Sequence, residues 1–298
     1  MIHVGTCGYS YADWKGPFYP ADLRPAGMLD FYARSFTAVE IDATYYRVPS
    51  AATFASMAAR APRGFRFSVK LPGSATHVPE TEQRTVHPDV ALLRRNVEPL
   101  VAAGSLAAAL MQFPNSFHPT DAARAHIEAL AEALPDIPLV AEFRHREWQT
   151  NATLEFLRDL DIGWVNVDMP QFDSLLRPST DITAPTAYVR FHGRNYKTWW
   201  KGTNVTRYDY DYTADELGPW ADRLIEIATN PDVREVFAFF NNHRRGNAAR
   251  NAEMLEDLLR ARYPAAVASA PAPPPRAEQL TLGVENADRR LQPTQGED

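Results

Sequence analysis

Carboxylates, a histidine and cations follow short apolar runs at intervals along the chain. The residue types predict a catalytic set of Glu40, Asp42, Glu142, Asp168 and His192. Side chains two positions apart on a strand share one face, so Glu40 and Asp42 lie on the same side. Such a set could act in general acid–base catalysis or bind a hard divalent cation. The alternative is a structural network, because charges in a partly buried site must be paired.

A second set of residues has the chemistry to hold a ligand. It consists of Tyr9, Tyr45, Lys70, Gln112, Arg144, Arg190, Asn241 and Trp199. The planar guanidinium group of arginine matches the geometry of a phosphate or carboxylate on a ligand. An equal alternative is that these cations only neutralise the nearby acidic side chains. Aromatic rings beside cations suit stacked bases, at about 1–3 kcal/mol each, and they suit sugar rings equally well.

The tryptophans and the cysteine divide into different predicted roles. We expect Trp14 and Trp148 to pack loops onto the core, and Trp199 and Trp200 to contact a ligand. Cys7 lacks an identifiable neighbouring base, which a nucleophilic thiolate needs. It is therefore predicted to be a small buried residue in a glycine-rich turn.

The metal and cofactor content is unknown from the sequence. A divalent metal is possible at the acids but not favoured. Zinc nucleases of barrel fold use several histidine ligands. Of the 8 histidines, only His192, His77 and either His145 or His243 are expected near the carboxyl ends of the predicted strands. That small number argues against a three-zinc site.

Apolar runs and helical patterns alternate along the chain and predict the elements that must position these residues. The predicted strands are Ile2–Gly5, Ala38–Asp42, Phe65–Lys70, Ala107–Phe113, Leu139–Phe143, Gly163–Asp168, Ala187–His192 and Glu235–Asn241. The predicted helices are Met28–Ser35, Ala51–Arg60, Pro88–Ala103, Asp121–Leu134, Thr153–Leu160, Ala214–Thr229 and Ala248–Arg262, with N-caps at Ser50, Thr120, Asn151 and Thr213. Eight strands in this alternation predict a single (β/α)8, TIM-like barrel over residues 1–264, with catalytic groups at the strand carboxyl ends. Met169–Pro185 is predicted to be a long loop.

The last segment differs in composition. Its alanine and proline content predicts a disordered tail over residues 265–298. Gln279, Leu280 and Leu282 form a weak match to the peptide that binds the bacterial sliding clamp, but Gly283 replaces the aromatic anchor.

Composition limits the function classes. The 298 residues carry a net charge of -6, which argues against a globally basic nucleic-acid binder but permits a local basic groove. One cysteine allows no internal disulfide and fits a reducing compartment. Without a signal peptide or an apolar run of about 20 residues, we expect a cytoplasmic protein that does not cross the membrane.

Several ordered motifs resemble the YecE-like family, a domain of unknown function (DUF 72). They are Gly5–Tyr9, Trp14–Pro20, Val39–Arg47, Phe65–Lys70, Gln112–Phe117, Glu142–His145 with Trp148, Tyr188–Gly193, and Phe240–Asn242 with Asn251–Ala252. The resemblance spans about residues 2–262. It implies a TIM-like barrel distantly similar to the endonuclease IV and xylose isomerase type, and it implies no settled reaction.

Three functions remain open on the sequence. The first is a hydrolase or lyase acting on a phosphate-bearing ligand, possibly nucleic acid, with Glu142 or Glu40 as base and His192 as proton donor. The second is a carbohydrate-active or isomerase-type barrel, which paired carboxylates and aromatic platforms would suit. The third is a non-catalytic binding or adaptor protein that uses the aromatic loops and the tail.

Overall fold

Eight parallel strands close into a barrel in the computed structural model, which describes residues 1–270 except 80, 82 and 84, and omits the side chains of residues 204 and 205. The strands are β1 (Ile2–Cys7), β2 (Ala38–Ile41), β3 (Arg66–Lys70), β4 (Leu106–Gln112), β5 (Leu139–Glu142), β6 (Ile162–Asp168), β7 (Thr186–Phe191) and β8 (Glu235–Phe240). They pair in chain order, and β8 closes onto β1. The predicted single (β/α)8 barrel is confirmed, with every strand within two residues of its predicted bounds.

Helices separate most of the strands. They are α1 (Met28–Ser35), α2 (Ala51–Arg60), α3 (Gly73–Thr76), α4 (Pro88–Asn96), α5 (Glu98–Ala102), α6 (Asp121–Ala133), α7 (Asn151–Asp159), α8 (Asn204–Arg207), α9 (Ala214–Thr229) and α10 (Asn247–Arg262). Ser50, Thr120 and Thr213 cap their helices as predicted. The short helices α3 and α8 were not predicted. The predicted helix 88–103 is divided by a break just before α5, which has Pro99 in its first turn, and the cap of α7 is Thr150, not Asn151. The long loop after β6 is confirmed.

Strand alternation divides the side chains between the barrel interior and the surrounding helices. On β7, the Tyr188 hydroxyl donates to Glu40 across the barrel, so Tyr188 and Arg190 point inward. Phe191 points outward, where its ring packs against Trp220 of α9 at 5.2 Å. Residues that are in register on neighbouring strands point to the same side of the sheet. The directions of Tyr188 and Phe191 therefore show whether each strand-end residue points into the barrel or toward the helices.

The chain continues to pack on the barrel beyond the predicted boundary at residue 264. A 3-10 turn spans Pro264–Ala266, Val267 is buried, and the Ala268 amide donates to the Ile2 carbonyl. The ordered packing therefore extends a few residues into the segment predicted as tail, because two apolar side chains cover the first strand. Residues 271–298, with the clamp-like Gln279, Leu280 and Leu282, lie outside the described residues. Within residues 1–270, the described helices lack the combined length and apolarity needed to cross a bilayer.

Candidate functional site

A cavity of about 390 Å³ opens at the carboxyl ends of the strands. Its described lining consists of Asp42, Tyr45, Tyr46, Lys70, His77, Gln112, Pro114, Asn115, Arg144, Leu175, Arg190, Trp199, Trp200, Arg207, Tyr208, Asn241 and His243. Seven of the eight predicted ligand-binding residues are in this lining, and Tyr9 is the exception. Of the predicted catalytic residues, Asp42 alone lines it.

A buried ion-pair network lies inside the barrel at the base of the cavity. Arg190 places one terminal nitrogen 2.7 Å from Glu40 Oε1 and the other 2.6 Å from Glu142 Oε2. Both carboxylates are fully buried, and the terminal nitrogen that bonds Glu40 also lies 3.4 Å from Cys7 Sγ. Burial acts against the charge of Arg190, but Glu142 and Glu40 raise its pKa well above the ordinary value. We call Glu40, Glu142 and Arg190 the inner network; its acids are paired and are not free bases.

Arg144 and His192 flank the same Glu142 carboxylate. Arg144 Nε lies 2.7 Å from Oε1 as an ion pair without hydrogen-bond alignment. His192 Nε2 lies 3.2 Å from that oxygen, while Asn241 donates to Nδ1. Burial, helped by Arg144, lowers the pKa of His192 to about 3. His192 is therefore neutral near pH 7, and its burial away from the cavity lining argues against the role of proton donor predicted from the sequence.

Lys70, at the end of β3, reaches the cavity without a carboxylate partner. Its Nζ donates to Gln112 Oε1 at 2.8 Å and lies 4.2 Å from the centre of the Tyr45 ring. Lys70 forms no ion pair within the described part of the chain. Burial and the nearby Arg190 lower the pKa of its amine to about 8.

Asp42 is the acid that faces the cavity. It follows β2 directly, and the Tyr11 hydroxyl lies 3.5 Å from its Oδ2. Burial and the neighbouring Glu40 raise the pKa of Asp42. None of the described cations forms an ion pair with this carboxyl group, which lines the cavity.

Asp168 has a different role from the one predicted. It lies in register with the outward-facing Phe191 and points toward α9. Its carboxylate accepts from Arg194, from the Tyr212 hydroxyl at 2.7 Å and from Trp220 Nε1 at 2.6 Å. We call Asp168 and these three donors the outer network. It joins β6 to the loop after β7 and to α9, away from the cavity.

The aromatic residues occupy three kinds of position. Trp14 and Trp148 are fully buried and pack loops onto the barrel. Tyr9 packs against Tyr32 at 6.0 Å and does not reach the cavity, because the chain turns at Gly8 with a φ of 77°. Trp199 is buried beneath Arg144, whereas Tyr46 and Trp200 are 76% and 48% exposed at the rim.

Sequence reasoning missed Arg207 and Tyr208, which line the cavity from the loop after β7. The guanidinium group of Arg207 has no ion-pair partner among the described residues, and its Nε is buried without a hydrogen bond. Neither residue follows a strand directly, so no strand-end signal marks them.

A possible metal-binding group lies outside the cavity, on the loops after β4 and β5. His118, His145 and Glu147 offer ligand atoms that lie within 4.8 Å of one another. The His118 ring already contacts Glu147 Oε2 at 2.8 Å, and His145 Nδ1 accepts from the Glu147 amide. A metal there would replace these contacts.

Comparisons with known proteins agree with the fold and the motifs. The family model described as a protein of unknown function, DUF72, matches residues 3–278. The chain belongs to the DUF72 family. It is 29% identical to UPF0759 protein YunF of Bacillus subtilis over 284 residues, covering 88% of this chain and 96% of that protein. YecE-like proteins are the same family, so the resemblance drawn from the motifs is confirmed.

Two solved structures of DUF72 proteins match the whole barrel. The protein TM1631 of Thermotoga maritima is 39% identical, with a TM-score of 0.80, and the match covers 87% of this chain and 99% of that one. A DUF72 protein of Enterococcus faecalis (EF0366) is 25% identical with a TM-score of 0.76, covering 87% and 95%. These matches support the barrel and carry no reaction with them.

Proposed function

We propose that this DUF72 chain is an enzyme of the hydrolase or lyase type that acts on a phosphate-bearing ligand in the cavity. The observation that carries the proposal is the charge of the described lining. Lys70, Arg144, Arg190 and Arg207 bring four cations, and Asp42 is the one carboxylate. An anion would gain charge-assisted hydrogen bonds from such a lining, and these bonds are among the strongest in proteins.

The distribution of the buried acids supports the same proposal. Glu40 pairs with Arg190, and Glu142 pairs with both Arg190 and Arg144, at 2.6–2.7 Å in each case. Among the described residues, Lys70 and Arg207 form no ion pair with a carboxylate, and the terminal nitrogens of Arg144 make no hydrogen bond. A phosphate group would supply an anionic partner for Lys70 and Arg207 and hydrogen-bond acceptors for the terminal nitrogens of Arg144.

The acid–base step is assigned to Asp42 within this proposal. Its raised pKa brings the carboxyl group closer to the range in which a group can both give and take a proton. Glu142 is unsuited to that role. Although burial opposes the charge, the guanidinium groups of Arg144 and Arg190 hold the pKa of Glu142 well below the ordinary value.

The rim favours a ligand that carries a ring as well as a phosphate. Tyr46 and Trp200 present exposed rings beside the cations, and such rings stack on nucleobases at about 1–3 kcal/mol each. A nucleotide or a short single strand fits this description. The net charge of -6 confines nucleic-acid binding to this local surface.

The other two functions have less support. A glycosidase needs two carboxylates facing each other across an open pocket, whereas Arg190 lies between Glu40 and Glu142. The adaptor alternative depends in part on the tail, most of which lies outside the described residues.

Calorimetric titration with thymidine 5′-monophosphate and with inorganic phosphate tests the proposal. We expect saturable binding that weakens with salt and is about 10–100-fold weaker in Arg144→Ala and Arg207→Ala, since a hydrogen bond to a charged group contributes about 1.5–3 kcal/mol. Arg94→Ala is the matched control, because Arg94 is exposed, paired with Asp136 and outside the lining. Equal affinities in all four proteins would rule out the proposed anion site.

A further inference from the structure

We propose that Lys70 is a nucleophile that forms a Schiff base with an anionic carbonyl compound bound in the barrel cavity. The inference rests on the proposed function and narrows its substrate class to an aldehyde or ketone that carries a phosphate or a carboxylate. It also narrows the reaction to the lyase type, because an iminium group stabilises a carbanion at the adjacent carbon.

The surroundings of Lys70 distinguish it from an ion-pairing lysine. The hydrogen-bond acceptor of its Nζ is the neutral amide of Gln112, at 2.8 Å, in place of a carboxylate. The Tyr45 ring lies 4.2 Å away on another side and limits where the amine can turn. The side chain lines the cavity at the end of a strand, where barrel enzymes place their reactive groups.

The charges around Lys70 favour the neutral amine, which is the reactive form. The titratable and charged groups that face it are Asp42, Glu40, Glu142, Arg144, Arg190 and His77. Burial and the charge of Arg190 lower the pKa of Lys70, and the two glutamates raise it less, because their charge is neutralised by guanidinium groups. The pKa of Lys70 is therefore about 8. About a quarter of the amine is then neutral at pH 7.5, against about 0.1% for an ordinary lysine.

The same cavity offers the other groups that the step requires. The lone pair of the neutral Nζ attacks the carbonyl carbon, a C–N bond forms as the C–O π bond breaks, and a proton passes from the nitrogen to the oxygen to give a carbinolamine. Asp42, in its protonated form, gives a proton to that hydroxyl as the C–O bond breaks. Water leaves, the iminium remains, and Asp42 becomes a carboxylate. Arg144 and Arg207, which line the same cavity, hold the phosphate or carboxylate of the substrate.

Reductive trapping tests the inference on the full chain. The protein is incubated at pH 7.5 with sodium cyanoborohydride and with dihydroxyacetone phosphate, pyruvate or acetone, and it is then mapped by mass spectrometry. Hydride addition to the iminium adds the mass of the probe less one oxygen atom. The chain has only four lysines, and Lys15, Lys197 and Lys201 are all exposed, so each site is resolved in the map.

We expect an adduct at Lys70 from the phosphate or the carboxylate probe, in about hundredfold excess over each exposed lysine. The more reactive of those two probes identifies the anionic group of the substrate. Inorganic phosphate should suppress the adduct, Lys70→Arg should abolish it, and Lys15→Arg should retain it. Trapping in the wild-type chain should rise with pH up to about 8 and then level off, which tests the inference without any variant.

An adduct spread equally over the four lysines, or absent from Lys70 with both anionic probes, would overturn the inference. The calorimetric titration separates this failure from failure of the proposed function. If Lys70 is not labelled but thymidine 5′-monophosphate still binds through Arg144 and Arg207, the proposed anion site is supported and only the role of Lys70 as nucleophile is wrong. If acetone labels Lys70 as fast as the anionic probes do, Lys70 is a nucleophile but the cavity does not select an anionic substrate.

Discussion

The inner and outer networks are both built on buried carboxylates at strand ends, but they lie on opposite sides of the barrel wall. In the inner network, Arg190 joins Glu40 and Glu142 beneath the cavity. In the outer network, which lies between the strands and α9, Asp168 accepts hydrogen bonds from Arg194, Tyr212 and Trp220. Buried acidic residues thus determine the charge beneath the ligand cavity in the inner network and hold a loop against α9 in the outer network.

The difference teaches that burial alone does not identify a catalytic acid. Glu142 and Asp168 are both fully buried and fully paired. Asp42 is less buried, has no ion-pair partner among the described residues and faces the cavity. Among the strand-end acids, the one with the fewest contacts is therefore the candidate for proton transfer.

Removal of Arg190 is expected to have the largest effect on stability. Arg190→Met leaves Glu40 and Glu142 buried without their cation and should lower the free energy of unfolding by about 3–5 kcal/mol in urea denaturation. The control is Glu40→Gln/Glu142→Gln/Arg190→Met, which removes all three charges together and should recover part of the loss. A loss below about 1 kcal/mol in the single variant would contradict the inner network.

The substitution Asp168→Asn separates the two networks. It removes the charge that Arg194, Tyr212 and Trp220 share, and it should cost about 1.5–3 kcal/mol of unfolding free energy. Affinity for thymidine 5′-monophosphate should stay within about twofold of wild type, because additivity holds between groups that share no partners. A tenfold weaker affinity would show that the outer network also contributes to ligand binding, against the separation of roles proposed for the two networks.

The pH dependence of stability sharpens the comparison, because the inner network contacts a buried histidine. The pKa of His192 is about 3 in the folded chain, against an ordinary 6.5. The unfolded chain therefore binds more protons between these values, and the folded state loses stability as pH falls below 6.5, by up to about 1.4 kcal/mol per pH unit. His192→Gln removes this contribution.

Urea denaturation of wild type and His192→Gln between about pH 6 and pH 4.5 measures the difference in slope. The contributions of the other groups are common to both proteins and cancel. Parallel stability curves for the two proteins would show that His192 is not held neutral.

The smallest expected effect is that of Arg194→Lys in the outer network. Arg194 bonds both carboxylate oxygens of Asp168, at 2.9 Å through Nε and 2.6 Å through a terminal nitrogen. Lysine keeps one charge but loses the planar fork, so we expect a loss of about 0.5–1 kcal/mol in thermal unfolding. A loss as large as that of Asp168→Asn would show that Arg194 carries the outer network alone.

Much of the fold and part of the site could be predicted because both depend on local pattern. Apolar runs bounded by turn residues mark the strands, and parallel strands bring their carboxyl ends to one rim. Lys70, Arg144 and Arg190 were therefore predicted at the cavity, where they lie. Tyr9 was also assigned to the rim, but the turn at Gly8 directs the chain elsewhere.

The remaining features depend on geometry that spacing does not contain. Alternation predicts that Asn166 and Asp168 share a side, but it does not say which side, and both face outward. The partners of Arg190 are 150 and 48 positions away in the chain, so their pairing follows from barrel closure. Arg207 reaches the cavity from the end of α8, in the connection between β7 and α9, where no strand pattern marks it.

Anomalous diffraction from crystals soaked in tungstate, a heavy-atom analogue of phosphate, tests the central claim most directly. The account predicts a peak in the cavity within hydrogen-bonding reach of Arg144 and Lys70 or Arg207, at about 2.7–3.2 Å from their nitrogens. Phosphate should displace it, and Arg144→Ala should weaken it. Tungstate bound elsewhere on the chain, with no peak between these cations, would contradict the account.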